Sequence, residues 1–156
     1  MSSDFPQRKR IRITKYDYAQ NGAYFVTICS CERKMMFGVV GATSGRPQLS
    51  DIGVIIDNEI QRISGIYDNV MIDKYVVMPN HIHMIILLQA NGRPKAAPTI
   101  SRIVAQFKGA ITKKVGHQVW QKSFHEHIIR SEQDYLETWD YIDTNPAKWQ
   151  EDKYYL

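Results

Sequence analysis

The chain has 156 residues, enough for one domain with a substantial core. Its 44% apolar and 23% charged content is that of an ordinary globular protein, and its apolar stretches run to only a few residues, too short to span a membrane. An excess of 20 Lys and Arg over 16 Asp and Glu leaves a net charge of +4, which favours a polyanionic partner such as nucleic acid.

Residues 1–20 read as a basic arm crowded by Arg8, Lys9, Arg10, Arg12 and Lys15. No apolar segment follows these charges as a secretory signal requires, so the protein is expected in the cytoplasm. Such an arm suits phosphate contacts driven by counterion release, although charge alone is equally compatible with a solvated tail. Next, Ala23–Ser30 (AYFVTICS) is β-branched and aromatic, the pattern of a buried strand. Cys29 and Cys31 lie two apart, too close for an ordinary stapling disulfide, and read as reduced packing residues. Gly38–Pro47 reads as turns. From Ser50 to Ser64, Ile52, Ile55, Ile56, Ile60 and Ile63 fall at amphipathic-helix spacing, with Ser50 as the N-cap and Gly65 at the end.

Val70–Met78 and Ile82–Leu88 read as neighbouring strands joined by Pro79-Asn80-His81, at the centre of the sheet. After a Gly/Pro/Ala linker over residues 89–98, Ile100, Ile103, Val104, Phe107, Ile111 and Val115 mark a second helix whose other face carries Lys108, Lys113 and Lys114. Ser123–Arg130 is a short last strand, and Ser131–Asn145 a helix that stops at Asn145-Pro146. The order strand, helix, strand, strand, helix, strand, helix predicts a single ferredoxin-like α+β domain: an antiparallel sheet with helices packed on one side, followed by a C-terminal helix.

His81-Ile82-His83 is the first constellation with chemistry in it. Alternate residues of a strand share a face, so two imidazoles come together while Ile82 points away. Two such nitrogens suit a divalent cation of the Mn or Zn kind, and Mg when phosphate and water complete the shell. An isolated pair has an equally ordinary reading, as histidines satisfied by backbone or water. His125-Glu126-His127 is a rival pair with a charged middle residue; His127 reads as a phosphate or DNA contact or as an exposed edge-strand histidine. On the last helix Tyr141 and Asn145 stand four apart and share a face. A phenol can attack phosphorus and form a covalent phosphotyrosine, and Asn145 has a side-chain oxygen to offer a metal as third ligand. Their bland readings are a core contact and a helix cap. Tyr135, on the same helix, rivals Tyr141 on composition alone.

The stretches YDYAQNGAYFVTICSCERKMMFG (16–38), YVVMPNHIHMIILL (75–88), IVAQFKGAITKKV (103–115) and VWQKSFHEHIIRSEQDYLETWDYIDTNPAKW (119–149) together resemble the HUH single-tyrosine transposases, where U is a hydrophobic residue, and among them the REP-associated subgroup. The resemblance implies that His81 and His83 bind a divalent metal, Mg or Mn. It makes Tyr141 the nucleophile, because Tyr141 opens the Tyr-Ile-x-x-Asn-Pro signature, on a helix within residues 131–146. Asn145 stands where related transposases carry a metal-binding glutamine, and its side chain is shorter. The implied partners are single-stranded DNA hairpins of repetitive palindromes, cut nearby to leave the 5′ end on tyrosine. Arg8, Lys9, Arg10, Arg12, Lys113, Lys114 and His127 are the expected DNA contacts, and monomeric and helix-swapped dimeric action are both open. The competing readings are a non-catalytic DNA or RNA hairpin-binding module, an HUH replication initiator or relaxase, and a phosphodiesterase that uses water.

Overall fold

The computed structural model describes residues 22–40, 47–89 and 99–152. The basic-arm residues Arg8, Lys9, Arg10, Arg12 and Lys15 and most of the 89–98 linker lie outside these. Strands β1 (Gly22–Cys29), β4 (Val70–Met78), β5 (His81–Leu88) and β6 (His125–Ile128) form one antiparallel sheet in the order β4-β5-β1-β6. Helices α1 (Asp51–Ile66), α2 (Ile100–Val115) and α3 (Glu132–Thr144) complete the α+β architecture. Gly38–Val39 and Gln48–Leu49, β2 and β3, pair as a small ribbon; β2 opens the Gly38–Pro47 segment read from sequence as turns and β3 follows it. Among the described residues no helix is long and apolar enough to cross a membrane.

Strand alternation divides the core. Val26, Ile28, Ile82, Met84 and Ile86 face α1 and α2, where Ile56, Ile60, Ile63, Ile103, Phe107 and Ile111 meet them. Ala23, Val76, Met78, Ile85 and Leu87 face the other way, against Tyr135, Trp139 and Ile142 of α3 and Trp149 beyond it. His81 and His83 alternate in phase with Ile85 and Leu87, so the pleat places both on the α3 side. Lys74 ties α3 down, its Nζ 2.8 Å from Asp143 and 4.0 Å from the centre of the Trp139 ring.

All three helices begin with a side-chain cap: Ser50, Thr99 and Ser131 accept from the backbone N–H of Gly53, Arg102 and Asp134. Helix α2 stops at Gly116, which takes the left-handed conformation at φ 91°. Helix α1 runs one residue past Gly65, and the N–H of Tyr67 closes on the carbonyl of Ile63. The glycine of consequence there is Gly53, because a Cβ on it would stand 2.0 Å from the Phe37 carbonyl oxygen. The Phe37 N–H in turn donates to Pro79 in the β4–β5 turn, so the start of α1 buttresses the hairpin that presents the histidines.

Candidate active site

His81 is the first residue of β5, paired with Met78 and Cys29, rather than part of the turn before it; His83 sits opposite Val76 and Thr27. Both are buried, and their ring centres lie 4.6 Å apart. Second partners orient each ring. The Asn80 amide donates through Nδ2 to the Arg33 carbonyl and turns its Oδ1 to His81 Nδ1 at 2.9 Å. An acceptor at that place puts the His81 proton on Nδ1 and the lone pair on Nε2, the state a metal ligand needs. His83 Nδ1 meets the Thr27 hydroxyl at 2.8 Å, leaving Nε2 as its ligand atom.

Asp152 stands third. Its carboxylate Oδ2 lies 3.6 Å from His81 Nε2, and one ligand atom from each of His81, His83 and Asp152 falls within 4.8 Å of the others. The Asp152 side chain is fully buried although it closes the short 3-10 turn Trp149–Glu151. Nothing in the sequence pattern singled it out. Asn145 donates from Nδ2 to Asp152 Oδ2 at 2.7 Å, while its own Oδ1 is buried and accepts no hydrogen bond among the described residues. Its backbone ends α3 before Pro146. Two imidazoles, a carboxylate and a buried amide oxygen make a donor set that fits a divalent cation.

Tyr141 reaches the same place from α3. Its ring meets His83 at 5.2 Å and Phe25 at 6.0 Å, edge-on to both, and its side chain is 40% exposed. Tyr141, Thr144, Asn145, Lys148 and Asp152 line one open cleft, which Glu137 and Asp140 complete. Tyr135 is a different kind of residue. It is wholly buried and donates its hydroxyl to Asp73 at 2.6 Å, in the irregular stretch of β4, away from the cleft that Tyr141 lines.

The remaining candidates are dispersed. His125 and His127 lie opposite Thr27 and Phe25, hence on the site face, on an exposed edge strand. His127 Nε2 contacts both carboxylate oxygens of Asp134 at 2.8 and 3.0 Å, so it is already engaged. Lys113 and Lys114 belong to α2, across the sheet from the histidines. Lys113 is exposed, whereas Lys114 Nζ is bonded to buried Glu59 of α1. That ammonium holds the Glu59 carboxyl below the usual carboxylate range, against burial that pushes it up, with Arg62 adding to the lowering. Lys108 donates to the carbonyls of Gln121 and Lys122, and burial lowers its own pKa. Cys29 and Cys31 form no disulfide.

No family model matches the chain. An uncharacterized protein of Haemophilus influenzae is 34% identical over 170 aligned positions, spanning 96% of this chain and 93% of that one. A REP-associated tyrosine transposase of Escherichia coli K12 is 36% identical over 78 residues, 49% of this chain and 44% of its own length. Among solved structures, a REP-associated tyrosine transposase bound to a REP hairpin superposes with a TM-score of 0.64 at 25% identity, covering 85% of this chain and 70% of that one. A candidate transposase from Deinococcus radiodurans shares the fold, with a TM-score of 0.53 at 15% identity over 83% of this chain and 93% of that one.

Proposed function

The chain belongs to the same family as the Haemophilus influenzae protein, one of transposase-like proteins, and from that premise we propose that it is a metal-dependent single-strand DNA transposase of the HUH type. It nicks and rejoins DNA beside hairpins through a 5′-phosphotyrosine on Tyr141. The observation that carries this reading is the approach of the Tyr141 ring to the His83 ring, 5.2 Å between centres, at the edge of the His81, His83 and Asp152 cluster. A divalent Mg or Mn ion held there by His81 and His83, with Asn145 as the third ligand read from sequence or Asp152 beside it, would polarise the scissile phosphate and stabilise the leaving oxygen.

The chain's own residues supply the rest. His83 and Phe25 fix the tyrosine ring, so the hydroxyl is positioned before DNA arrives. In the forward step the phenolic oxygen bonds to phosphorus, its proton passes to solvent, the bond from phosphorus to the 3′ oxygen breaks, and that oxygen takes a proton. One phosphate ester replaces another, so attack by a 3′ hydroxyl reverses the step without an external energy source. The arm cations Arg8, Lys9, Arg10 and Arg12 hold the hairpin and its flanking strand, helped by Lys113 and, where DNA displaces Glu59 and Asp134, by Lys114 and His127. The hairpin-bound structural neighbour supports that choice of substrate.

End-labelled single-stranded hairpins from the DNA flanking the gene, incubated with protein and Mn²⁺ or Mg²⁺ and run on a denaturing gel, test the proposal. The expected result is a labelled band at protein size that disappears in Tyr141→Phe and weakens in His81→Ala and His83→Ala. Binding with no adduct on any substrate contradicts it in favour of a non-catalytic module. Cut DNA with nothing attached points to water as the nucleophile.

A further inference from the structure

We infer that Asp152, rather than Asn145, supplies the third protein ligand of the divalent cation, and that Asn145 is a positioning residue that holds the Asp152 carboxylate against the two histidines. This rests on the metal reading of His81 and His83 proposed above.

Three observations support it. The first is the proximity of the donors: Asp152 Oδ2 is 3.6 Å from His81 Nε2, and its ligand atom lies within 4.8 Å of those of both histidines. The second is burial. The Asp152 side chain is enclosed, although the residue as a whole is half-buried, directly after a three-residue turn. Removing a carboxylate from water is costly, and a cation shared with two neutral imidazoles offsets that cost. Trp149, buried with its ring 6.0 Å from His81, anchors the turn so that the carboxylate points inward.

The third is the direction of the Asn145 amide. It presents Nδ2, a donor, to Asp152 Oδ2 at 2.7 Å. A hydrogen bond donated to a carboxylate fixes its rotation, the arrangement by which a neighbouring group orients a metal ligand. Asn145 is also a methylene shorter than glutamine, whereas Asp152 Oδ2 stands 3.6 Å from His81 Nε2. The set becomes two imidazoles and one anion, which binds hard cations such as Mn²⁺ and Mg²⁺ more strongly than two imidazoles and a neutral amide would.

The test is Mn²⁺ binding to the full chain without DNA, read as free Mn²⁺ by electron paramagnetic resonance. Asp152→Asn, close to isosteric, is expected to weaken binding about 10- to 100-fold, and Asp152→Glu to restore part of the loss. Asn145→Ala is expected to cost about tenfold in the intact protein and nothing further in the Asp152→Asn background, because a positioning residue has no effect once its client is gone. Thermal midpoints of the metal-free variants identify any loss of fold. Affinity within twofold of the parent in folded Asp152→Asn overturns the inference, as do effects of the two substitutions that multiply, the signature of independent ligands. Unchanged affinity in both His81→Ala and His83→Ala overturns the metal reading itself, a result distinct from either.

Discussion

Tyr135 and Tyr141 stand six residues apart on α3, about 1.7 turns, and so project in different directions. One points into the sheet and bonds Asp73; the other lies over His83 at the cleft. Their substitutions are therefore expected to separate stability from activity. Tyr135→Phe removes a buried hydrogen bond to a carboxylate and costs about 1.5–3 kcal/mol of stability, while the DNA adduct still forms in the folded fraction. Tyr141→Phe, at a half-exposed position, shifts stability by less than about 0.5 kcal/mol and abolishes the adduct. Denaturant titration and the adduct gel, run on both proteins, check the pair; an adduct lost in folded Tyr135→Phe contradicts the assignment. The sequence made Tyr141 and Asn145 visible through helical spacing and His81 and His83 through strand alternation. It left Asp152 unseen, because a residue closing a short 3-10 turn has no periodicity to mark its direction.

Helices α1 and α2 are joined at Glu59 and Lys114, and the pH dependence of that junction follows from its charges. The Glu59 carboxyl is held below the usual range in the fold, so the unfolded chain takes up its proton first as the solution is acidified. The stabilisation is complete above the ordinary carboxylate range and is lost as pH falls through the lowered folded value. The thermal midpoint of the parent is expected to exceed that of Glu59→Gln near neutrality, with the gap closing on acidification below about pH 4; a gap constant down to pH 3 contradicts this. At the start of α1, Gly53→Ala forces a Cβ against the Phe37 carbonyl. A cost of about 1–3 kcal/mol is expected, seen as a midpoint lower by several degrees. A midpoint equal to the parent's contradicts this and shows that the Phe37 backbone gives way freely. This close approach was not legible beforehand: Gly53 reads as an ordinary helix glycine until the Phe37 backbone is seen crossing it. The β2–β3 ribbon was hidden likewise, because two-residue strands carry no alternation.

Across the whole molecule, the sheet separates the residues proposed for metal and nucleophile from the lysines proposed for DNA contact. The histidines and Tyr141 occupy the α3 face, while Lys113 and Lys114 lie on the α2 side and Lys114 is bonded to Glu59. The element order was readable because each long strand and helix has its own period, and the hairpin around Pro79-Asn80 was readable as a strand pair; the expectation that both its strands are central was wrong, because β4 lies at an edge and β5 and β1 form the centre. An edge place for β6 was one of the readings of His127, but its pairing with β1 was not readable, since HEHI carries no sign of which neighbour it pairs. Hairpin affinity measured against salt distinguishes the cations. Replacing Arg8, Lys9, Arg10 and Arg12 by Ala is expected to reduce the log–log slope by up to about 3, and Lys113→Ala by about 1. Lys114→Ala is expected to change it less while lowering stability. An unchanged slope in the arm variant assigns binding to other residues.

The central claim is that the Tyr141 oxygen takes the DNA 5′ phosphate. The measurement that addresses it most directly is mass spectrometry of the adduct after nuclease and protease trimming. The account predicts a nucleotide on the peptide that carries Tyr141, through a phosphate ester to its phenol. A nucleotide on any other residue, or cleaved DNA with an unmodified protein, contradicts it.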